Sequence, residues 1–424
     1  MIQYERTGFD SIVDAIYQKP LVSSDKGNIY IEALPHPVYD SKECIAKYTK
    51  GIKDYDYSEA MQLPKETRLF SVGQLKSVRV FLPFCQELEQ RFYETLCESY
   101  RLRRPKVTYK GDEINITTVG NVCDSAVSGF AIVGRSGCGK SSSIASLLST
   151  YPQVIYHTIE GVRFPQIVYL MVSCVPNSNF NALYASIGKA IDRALGVQIY
   201  ESAIKYTGTL GGKLNYIERL VEKFGIGMII LDEIQLLKFS NIGENTFESF
   251  LTLSNETKVA VSVVGTEDAL NKMETNLRTR RRVKYTINAS TYTENKQYYG
   301  YLVDELLKYQ WTDEQMTFDK ACYDELYKRS RGIVDFVVSI IIALQTELIM
   351  SKKRTINPQF IADTTNKYFK GLGKLISKYK EVSDSEISAV ISDGMKKIND
   401  ASISQDEIIS MLISKQKESV MPEP

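Results

Sequence analysis

The sequence is poor in the residues that usually hold zinc or build a disulfide framework. Among its 424 residues there are two histidines and seven cysteines, and no two cysteines form a C-x-x-C pair. This composition argues against a zinc site and against a secreted fold stabilised by disulfides. We therefore expect reduced thiols and a cytoplasmic protein.

Long apolar runs are also lacking. The longest membrane-like stretch, Phe336 to Leu344, has nine residues, which is too short to span a bilayer and predicts a buried helix. The first residues include Tyr4, Glu5 and Arg6, so we expect no signal peptide. The sequence predicts no membrane partner.

The chain has no large excess of charge of either sign. Its 52 Lys and Arg residues nearly balance 51 Asp and Glu residues, which leaves a net charge of +1. Proteins that bind nucleic acid independently are usually more basic. A DNA contact of this chain would therefore need a local basic patch, or a weak surface that self-assembly repeats many times.

A phosphate-binding loop is present. Residues 134–141 fit the pattern G-x-x-x-x-G-K-[ST], with an apolar strand predicted over 128–133 and a helix over 142–150. Backbone N–H groups and the helix N-terminus would hold the phosphates of ATP, Lys140 would reach the β- and γ-phosphates, and Ser141 would ligate Mg²⁺. The predicted nucleotide-binding residues are Gly134, Arg135, Ser136, Gly137, Cys138, Gly139, Lys140, Ser141 and Ser142.

A second motif indicates hydrolysis. Residues 228–233 form an apolar strand that ends in two carboxylates, the Walker B pattern. Asp232 lies where open α/β sheets place their ligands, so we predict that it holds Mg²⁺. Glu233 is then positioned to orient and deprotonate the attacking water.

The rest of the pattern predicts an α/β fold. Apolar strands near 167–174, 259–266 and 283–287 alternate with helices, which is typical of a parallel sheet with helices on both faces. From residue 291 the chain reads as helical. An α/β base followed by a helical lid is typical of AAA+ ATPases rather than of P-loop kinases or small GTPases.

These patterns suggest four domains. We predict an N-terminal extension, an AAA+ base, a small helical lid and a C-terminal tail, at residues 1–110, 111–290, 291–350 and 351–424. The extension and the tail are interpreted as segments that dock onto partners. A glycine-rich stretch at 208–212 is predicted to be a flexible loop.

Further AAA+ positions can be placed. Thr266 ends the strand after Walker B, where a sensor 1 hydroxyl would contact the water or the γ-phosphate. The basic run at 278–282 lies where an arginine finger would reach the nucleotide of a neighbouring subunit, with Arg281 the first candidate and Arg278 the second. The sensor 2 position holds Asp335, which cannot replace an arginine; Arg331 and Arg329 are the alternatives.

Candidate DNA contacts lie in two predicted loops. After the strand at 167–174, an amide- and hydroxyl-rich stretch could meet phosphates, and two lysines flank the glycine-rich stretch. These residues are Asn177, Ser178, Asn179, Lys205 and Lys213. Phosphate contacts carry little sequence preference.

Two pairs of segments resemble a known family. Residues 128–141 with 151–157, and residues 164–170 with 174–178, resemble TnsC, the AAA+ regulator of a class of bacterial cut-and-paste transposons. Residues 103–105 are a weaker point of similarity, and the resemblance covers about residues 100–345.

The resemblance implies an ATP-dependent oligomer or filament on double-stranded DNA. Such an assembly links a target-site selector, either a DNA-binding protein or an RNA-guided complex, to the transposase. Two alternatives stay open: another DNA-acting AAA+ ATPase such as a helicase loader or origin-binding protein, and a nucleotide-controlled signalling switch without nucleic acid. The origin-binding alternative is weakened because no winged-helix pattern follows the lid.

Overall fold

The structure is a computed structural model of the chain. It describes residues 12–110, 113–120, 127–175, 180–236, 254–255, 257–273, 283–290, 296–351, 355–370 and 392–398.

The strands are β1 Ile12–Asp14, β2 Arg103–Lys110, β3 Glu113–Gly120, β4 Gly129–Val133, β5 Val154–Ile159, β6 Val162–Ile167, β7 Tyr169–Ser173, β8 Met228–Asp232, β9 Ala260–Gly265 and β10 Val283–Asn288. The α-helices are α1 Ile29–Glu32, α2 Ser41–Tyr48, α3 Tyr57–Gln62, α4 Lys65–Ser71, α5 Phe84–Arg101, α6 Lys140–Leu148, α7 Phe180–Leu195, α8 Tyr200–Tyr206, α9 Leu210–Lys223, α10 Glu267–Met273, α11 Lys296–Leu307, α12 Lys320–Ser330, α13 Val334–Met350 and α14 Pro358–Tyr368. Short 3-10 helices cover Ser23–Asp25, Val72–Ser77 and Ile234–Leu236.

The chain divides into two compact units. The first contains residues 1–48, 81–135 and 140–289, and the second contains residues 49–80, 136–139 and 290–424. The N-terminal region is therefore shared between the units, and four residues of the phosphate loop group with the second.

The first unit is built on a parallel sheet. Its order is β10-β4-β9-β8-β7, and each neighbouring pair runs parallel. Helix α5 contacts β4, β8, β9 and β10, while α7 contacts β7 and α9. This is the predicted α/β class, with a parallel sheet and flanking helices.

Strand β4, which leads into the phosphate loop, is buried along its whole length. Successive strand residues face opposite sides of a sheet. Ala131 and Val133 pack in a core with α7 and α9, whereas Phe130 and Ile132 are also buried but lie outside that cluster. Both faces of the strand are therefore covered, which explains why its sequence is continuously apolar rather than alternating.

The end of α5 supports the strand that carries the Walker B acids. Ser99 Oγ donates to the Gly227 carbonyl at 2.7 Å, and Tyr100 Oη donates to the Gly225 carbonyl at 3.0 Å. The buried Arg103 guanidinium in turn donates to the Ser99 carbonyl at 3.2 Å. These bonds fix the turn from which β8 starts.

Two smaller sheets complete the first unit. Strand β1 pairs in parallel with β5, and β5 pairs antiparallel with β6. The hairpin β2–β3 forms a separate antiparallel sheet. The sequence pattern did not predict the β5–β6 hairpin, because His157 and Gln166 face the interior and bond each other at 2.8 Å, so the expected alternation of apolar and polar residues is broken.

In the part that the structure describes, the second unit consists of helices and one isolated antiparallel bridge between Lys50 and Arg79. Its centre is α13, which is buried along most of its length and is packed by α4, α12, α14 and the 3-10 helix Val72–Ser77. Trp311 joins this core, and its backbone N–H donates to Gln345 Oε1 at 3.0 Å. Residues 49–80, predicted to be part of an N-terminal extension, thus pack with the lid helices.

The strands predicted near 128–133, 167–174, 259–266 and 283–287 and the helix predicted over 142–150 are present within two residues of the expected bounds. The prediction of a flexible glycine-rich loop at 208–212 is wrong for its second half. Helix α9 begins at Leu210 and includes both Gly211 and Gly212. Thr209 caps this helix, with its Oγ1 accepting from the Gly212 N–H at 3.1 Å, and the cap offsets the weak helix propensity of the glycines.

Among the described residues, no helix is long and apolar enough to cross a membrane. The six cysteines that the structure describes are buried, and no disulfide joins any two of them.

We predict that Gly129→Ala destabilises the first unit. An added Cβ would lie 1.9 Å from the carbonyl oxygen of Val261 on the neighbouring strand, and a backbone atom cannot move away as a side chain can. The expected loss is about 2–3 kcal/mol of unfolding free energy, measured by denaturant titration. Gly300→Ala is the control, because no atom lies within 4 Å of its added Cβ; equal stability of both variants would contradict the prediction.

Candidate nucleotide site

The phosphate loop follows directly from β4 and ends in α6. Gly137 has φ 77° and Gly139 has φ 93°, both in the left-handed region that a residue with a Cβ rarely adopts. The Gly134 N–H donates to the Gly265 carbonyl at 3.2 Å, which joins the loop to the end of β9. The motif glycines are therefore needed for the backbone path itself.

Lys140 is the first residue of α6, and its side chain is buried. Its Nζ donates to the carbonyls of Gly134 at 2.7 Å and Arg135 at 2.8 Å. The ammonium therefore folds back along the loop instead of extending into solvent. The loop residues 134–141 are all described, and Cys138 is buried, which limits the access of thiol reagents.

The structure brings the two predicted magnesium ligands together. Ser141 Oγ donates to Asp232 Oδ1 at 3.4 Å, although the residues are 91 positions apart. Burial raises the pKa of Asp232, while the Glu233 N–H, the Ser141 hydroxyl and the Lys140 charge act in the opposite direction. A buried carboxylate with a raised pKa gains most from a nearby cation, because the cation favours its charged form.

This donor set fits Mg²⁺. The ion prefers hard oxygen ligands and commonly takes only one or two from the protein, the rest coming from phosphates and water. Ser141 and Asp232 would hold it, and when bound it would neutralise the charge of the phosphates. Among the described residues, no group of three or more His, Cys, Asp or Glu side chains offers an all-protein metal site.

Glu233 has an unusual backbone. Its φ is 56°, a left-handed conformation for a residue with a side chain, and its N–H donates to Asp232 Oδ1 at 2.9 Å. The carboxylate accepts a bond from the Gln235 side-chain amide. Backbone strain of this kind is typical of functional sites, where the surrounding structure holds a residue in a conformation that it would not adopt by itself. Gln235, which orients the acid, was not predicted, because its position two residues after the motif carries no signal of its own.

Thr266 lies at the same edge of the sheet. A Cβ at the preceding Gly265 would lie 2.5 Å from Ile234, so the end of β9 abuts the residues that follow the Walker B acids. Thr266 Oγ1 accepts the Ala269 N–H at 3.3 Å, which caps α10. In this bond the hydroxyl acts as acceptor, and the bond does not use its hydrogen. A sensor 1 residue would donate that hydrogen, and this assignment stays a prediction.

Cys174 lies beside Asp232 at the end of β7. The Cys174 N–H donates to the Asp232 carbonyl at 2.9 Å, at the end of β7. Burial, with the charges of Asp232 and Glu233, raises the pKa of the Cys174 thiol to about 12. The thiol therefore stays protonated near neutral pH and adds no charge to the site.

Other predicted site residues are not gathered here. Lys205 lies in α8 and pairs with Glu201 at 2.7 Å, and Lys213 lies in α9 with a buried side chain. The arginine-finger candidates at 278–282 and the predicted DNA contacts at 177–179 lie outside the described residues.

The sensor 2 alternatives have different surroundings. Arg329 donates to Glu325 at 2.7 Å and to Asn366 at 3.0 Å, so it is used within the helices of the second unit. Arg331 is exposed, with φ 52° at the end of α12. The structure instead places the backbone of Asp335 against the phosphate loop, with its N–H 3.1 Å from the Gly137 carbonyl.

Residues 128–273 match the family of AAA domains. With its parallel sheet, phosphate loop and Walker B strand, this part of the chain has the fold of a P-loop AAA+ ATPase. No curated protein sequence matches the chain.

Similar solved structures share low identity with the chain. ORC1 of Aeropyrum pernix in complex with DNA is 15% identical, with a TM-score of 0.41 over 76% of this chain and 84% of that chain. A RuvB mutant of Thermotoga maritima is 12% identical, with a TM-score of 0.35 over 75% and 89%. NtrX of Brucella abortus in complex with ATP is 11% identical, with a TM-score of 0.30 over 64% of each. At such low sequence identities and TM-scores, these similarities support no statement about function.

We predict that Lys140→Ala abolishes ATP binding, because it removes the charge that offsets the β- and γ-phosphates. The expected loss is about 100-fold or more in affinity, the upper range for a hydrogen bond to a charged group. Calorimetric titration with ATP and Mg²⁺ measures it. Lys189→Ala, which removes an exposed lysine of α7, should bind as the unaltered protein does. Unchanged ATP affinity in Lys140→Ala would refute the site.

Proposed function

We propose that this chain is an ATP-dependent regulator of DNA transposition that oligomerises on double-stranded DNA. The observation that carries the nucleotide part is the contact of Ser141 with Asp232, beside the Lys140 ammonium. The transposition part rests on the resemblance of the loop and its following segments to TnsC.

In this proposal the residues of the base divide the work of hydrolysis. Lys140 and the loop N–H groups hold the phosphates, and Ser141 with Asp232 hold Mg²⁺. Glu233, oriented by Gln235, takes the proton of the attacking water. Thr266 donates to the water or to the γ-phosphate.

Completion of the site requires a second copy. Arg281, or else Arg278, reaches the nucleotide of the neighbouring subunit, so hydrolysis depends on assembly. ATP hydrolysis then acts as a switch that releases the assembly. The assembled form joins a target selector, a DNA-binding protein or an RNA-guided complex, to the transposase.

DNA binding in this proposal is weak for one subunit and strong for many. The net charge of +1 provides little attraction by itself. Each added subunit brings its own phosphate contacts at high effective concentration. Asn177, Ser178, Asn179 and Lys205 are the proposed contacts, whereas the burial of Lys213 counts against a direct phosphate contact.

Glu233→Gln should separate binding from hydrolysis. Asp232 still holds Mg²⁺, so ATP affinity stays within about twofold, while turnover falls by roughly 10²–10⁴-fold with the loss of the base. Phosphate release measures turnover, and retention on DNA-coated beads should persist with ATP. The control is Glu222→Gln, an exposed acid of α9; turnover at the unaltered rate in Glu233→Gln would remove Glu233 from the mechanism.

Binding to duplex DNA should require ATP, rise cooperatively with protein concentration and tolerate changes of sequence. It should weaken as salt rises, because each phosphate contact releases counterions. Two unrelated duplexes, titrated across a salt series with and without ATP, test this.

Tight binding to only one duplex without ATP would indicate an origin-type reader and contradict the assembly proposed here. No binding to either duplex would favour the signalling switch. Co-purification with a transposase separates the regulator from other DNA-acting ATPases.

A further inference from the structure

The helix α13 begins against the phosphate loop. Asp335, its second residue, donates its N–H to the Gly137 carbonyl at 3.1 Å. A Cβ at Gly137 would lie 3.1 Å from Asp335 Cβ and 3.8 Å from Asp335 Oδ2. Both residues belong to the second unit. A carboxylate is therefore held next to the backbone that cradles phosphates.

This acid has no local role that accounts for it. Among the residues that the structure describes, its carboxylate makes no hydrogen bond or ion pair, and the residue is exposed to solvent. An acid in the first turn of a helix interacts favourably with the helix dipole, but an acid at any first-turn position would do so. The position beside Gly137 is what distinguishes Asp335.

A negative charge here opposes phosphate. The backbone N–H groups of a phosphate loop favour an anion, whereas the Asp335 carboxylate beside Gly137 repels one. Because repulsion grows with ligand charge, it acts more strongly on ATP than on ADP.

We propose that Asp335 sets the nucleotide preference of the loop, lowering its affinity for ATP relative to ADP. This inference rests on the proposed nucleotide function and adds a determinant of specificity to it. A single subunit then holds ATP weakly, and positive charge supplied from elsewhere is needed to stabilise the ATP state.

The surroundings of the carboxylate agree with this. Partial desolvation raises the pKa of Asp335, and the positive charge of Lys76 lowers it. Lys76 lies in the 3-10 helix Val72–Ser77, which packs on α13 in the same unit. Lys76 therefore offsets part of the charge that the acid presents to the loop.

The test compares ATPγS and ADP, each with Mg²⁺, by calorimetric titration of the full chain. Asp335→Asn removes the charge and keeps both the shape and the backbone N–H that bonds Gly137. Affinity for ATPγS should rise by about threefold to tenfold and that for ADP by no more than about twofold. Asp335→Ser should shift the ratio of the ATPγS and ADP affinities in the same direction. It replaces Asp335→Asn in the test if the Asn variant folds poorly.

The control is Asp363→Asn, an exposed acid of α14 that bonds Gln359 at 2.8 Å. It changes net charge equally but should leave the affinity ratio unchanged. Lys76→Met should lower ATPγS affinity in the unaltered background and have no effect beside Asp335→Asn, because the lysine acts through the acid.

The outcomes separate the two proposals. Nucleotide binding by the unaltered protein with an unchanged affinity ratio in both Asp335 variants would overturn this inference alone. A purely structural role would lower the melting temperature and leave that ratio unchanged, which also overturns it. No nucleotide binding by the unaltered protein, or equal binding by Lys140→Ala, would overturn the proposed function together with this inference.

Discussion

The nucleotide site depends on strands that are hydrogen-bonded in parallel register and end at one edge of the sheet. The Gly134 N–H bonds the Gly265 carbonyl, and Ser173 lies opposite Asp232 in the register of β7 and β8. A shift of β8 by one residue would move Asp232 to the other face of the sheet. The contact between Ser141 and Asp232 is thus a consequence of sheet register more than of either side chain.

That edge also contains two locally unfavourable features. Asp232 is a buried carboxylate, and Glu233 has a left-handed backbone that costs about 1–2 kcal/mol. Both are tolerated because β8 is buried and paired on both sides, and its start is held by Ser99 and Tyr100. The rigidity of the sheet compensates for a geometry that the isolated segment would not adopt.

The sequence allowed prediction of the parts whose chemistry is local. A phosphate loop needs glycines beside a lysine, and the two acids directly follow an apolar strand, so both motifs could be recognised in the sequence. The helix α14 was not predicted, although Asn357 caps it and Pro358 begins it. The packing of residues 49–80 with the lid, and the burial of Lys213, depend on contacts distant in sequence that no short pattern encodes.

Asp335 shows how a motif and a position carry different information. Its spacing in the sequence matches the predicted sensor 2 position, but it is negatively charged where an arginine is expected. The sequence alone therefore suggests that the sensor 2 function has been lost. The structure adds that the position still contacts the loop, through a backbone N–H that any residue could donate. The backbone contact therefore holds a carboxylate beside the loop. If the proposed assembly forms and a neighbour contributes an arginine, the negative charge of Asp335 beside Gly137 would make ATP binding depend on that neighbour.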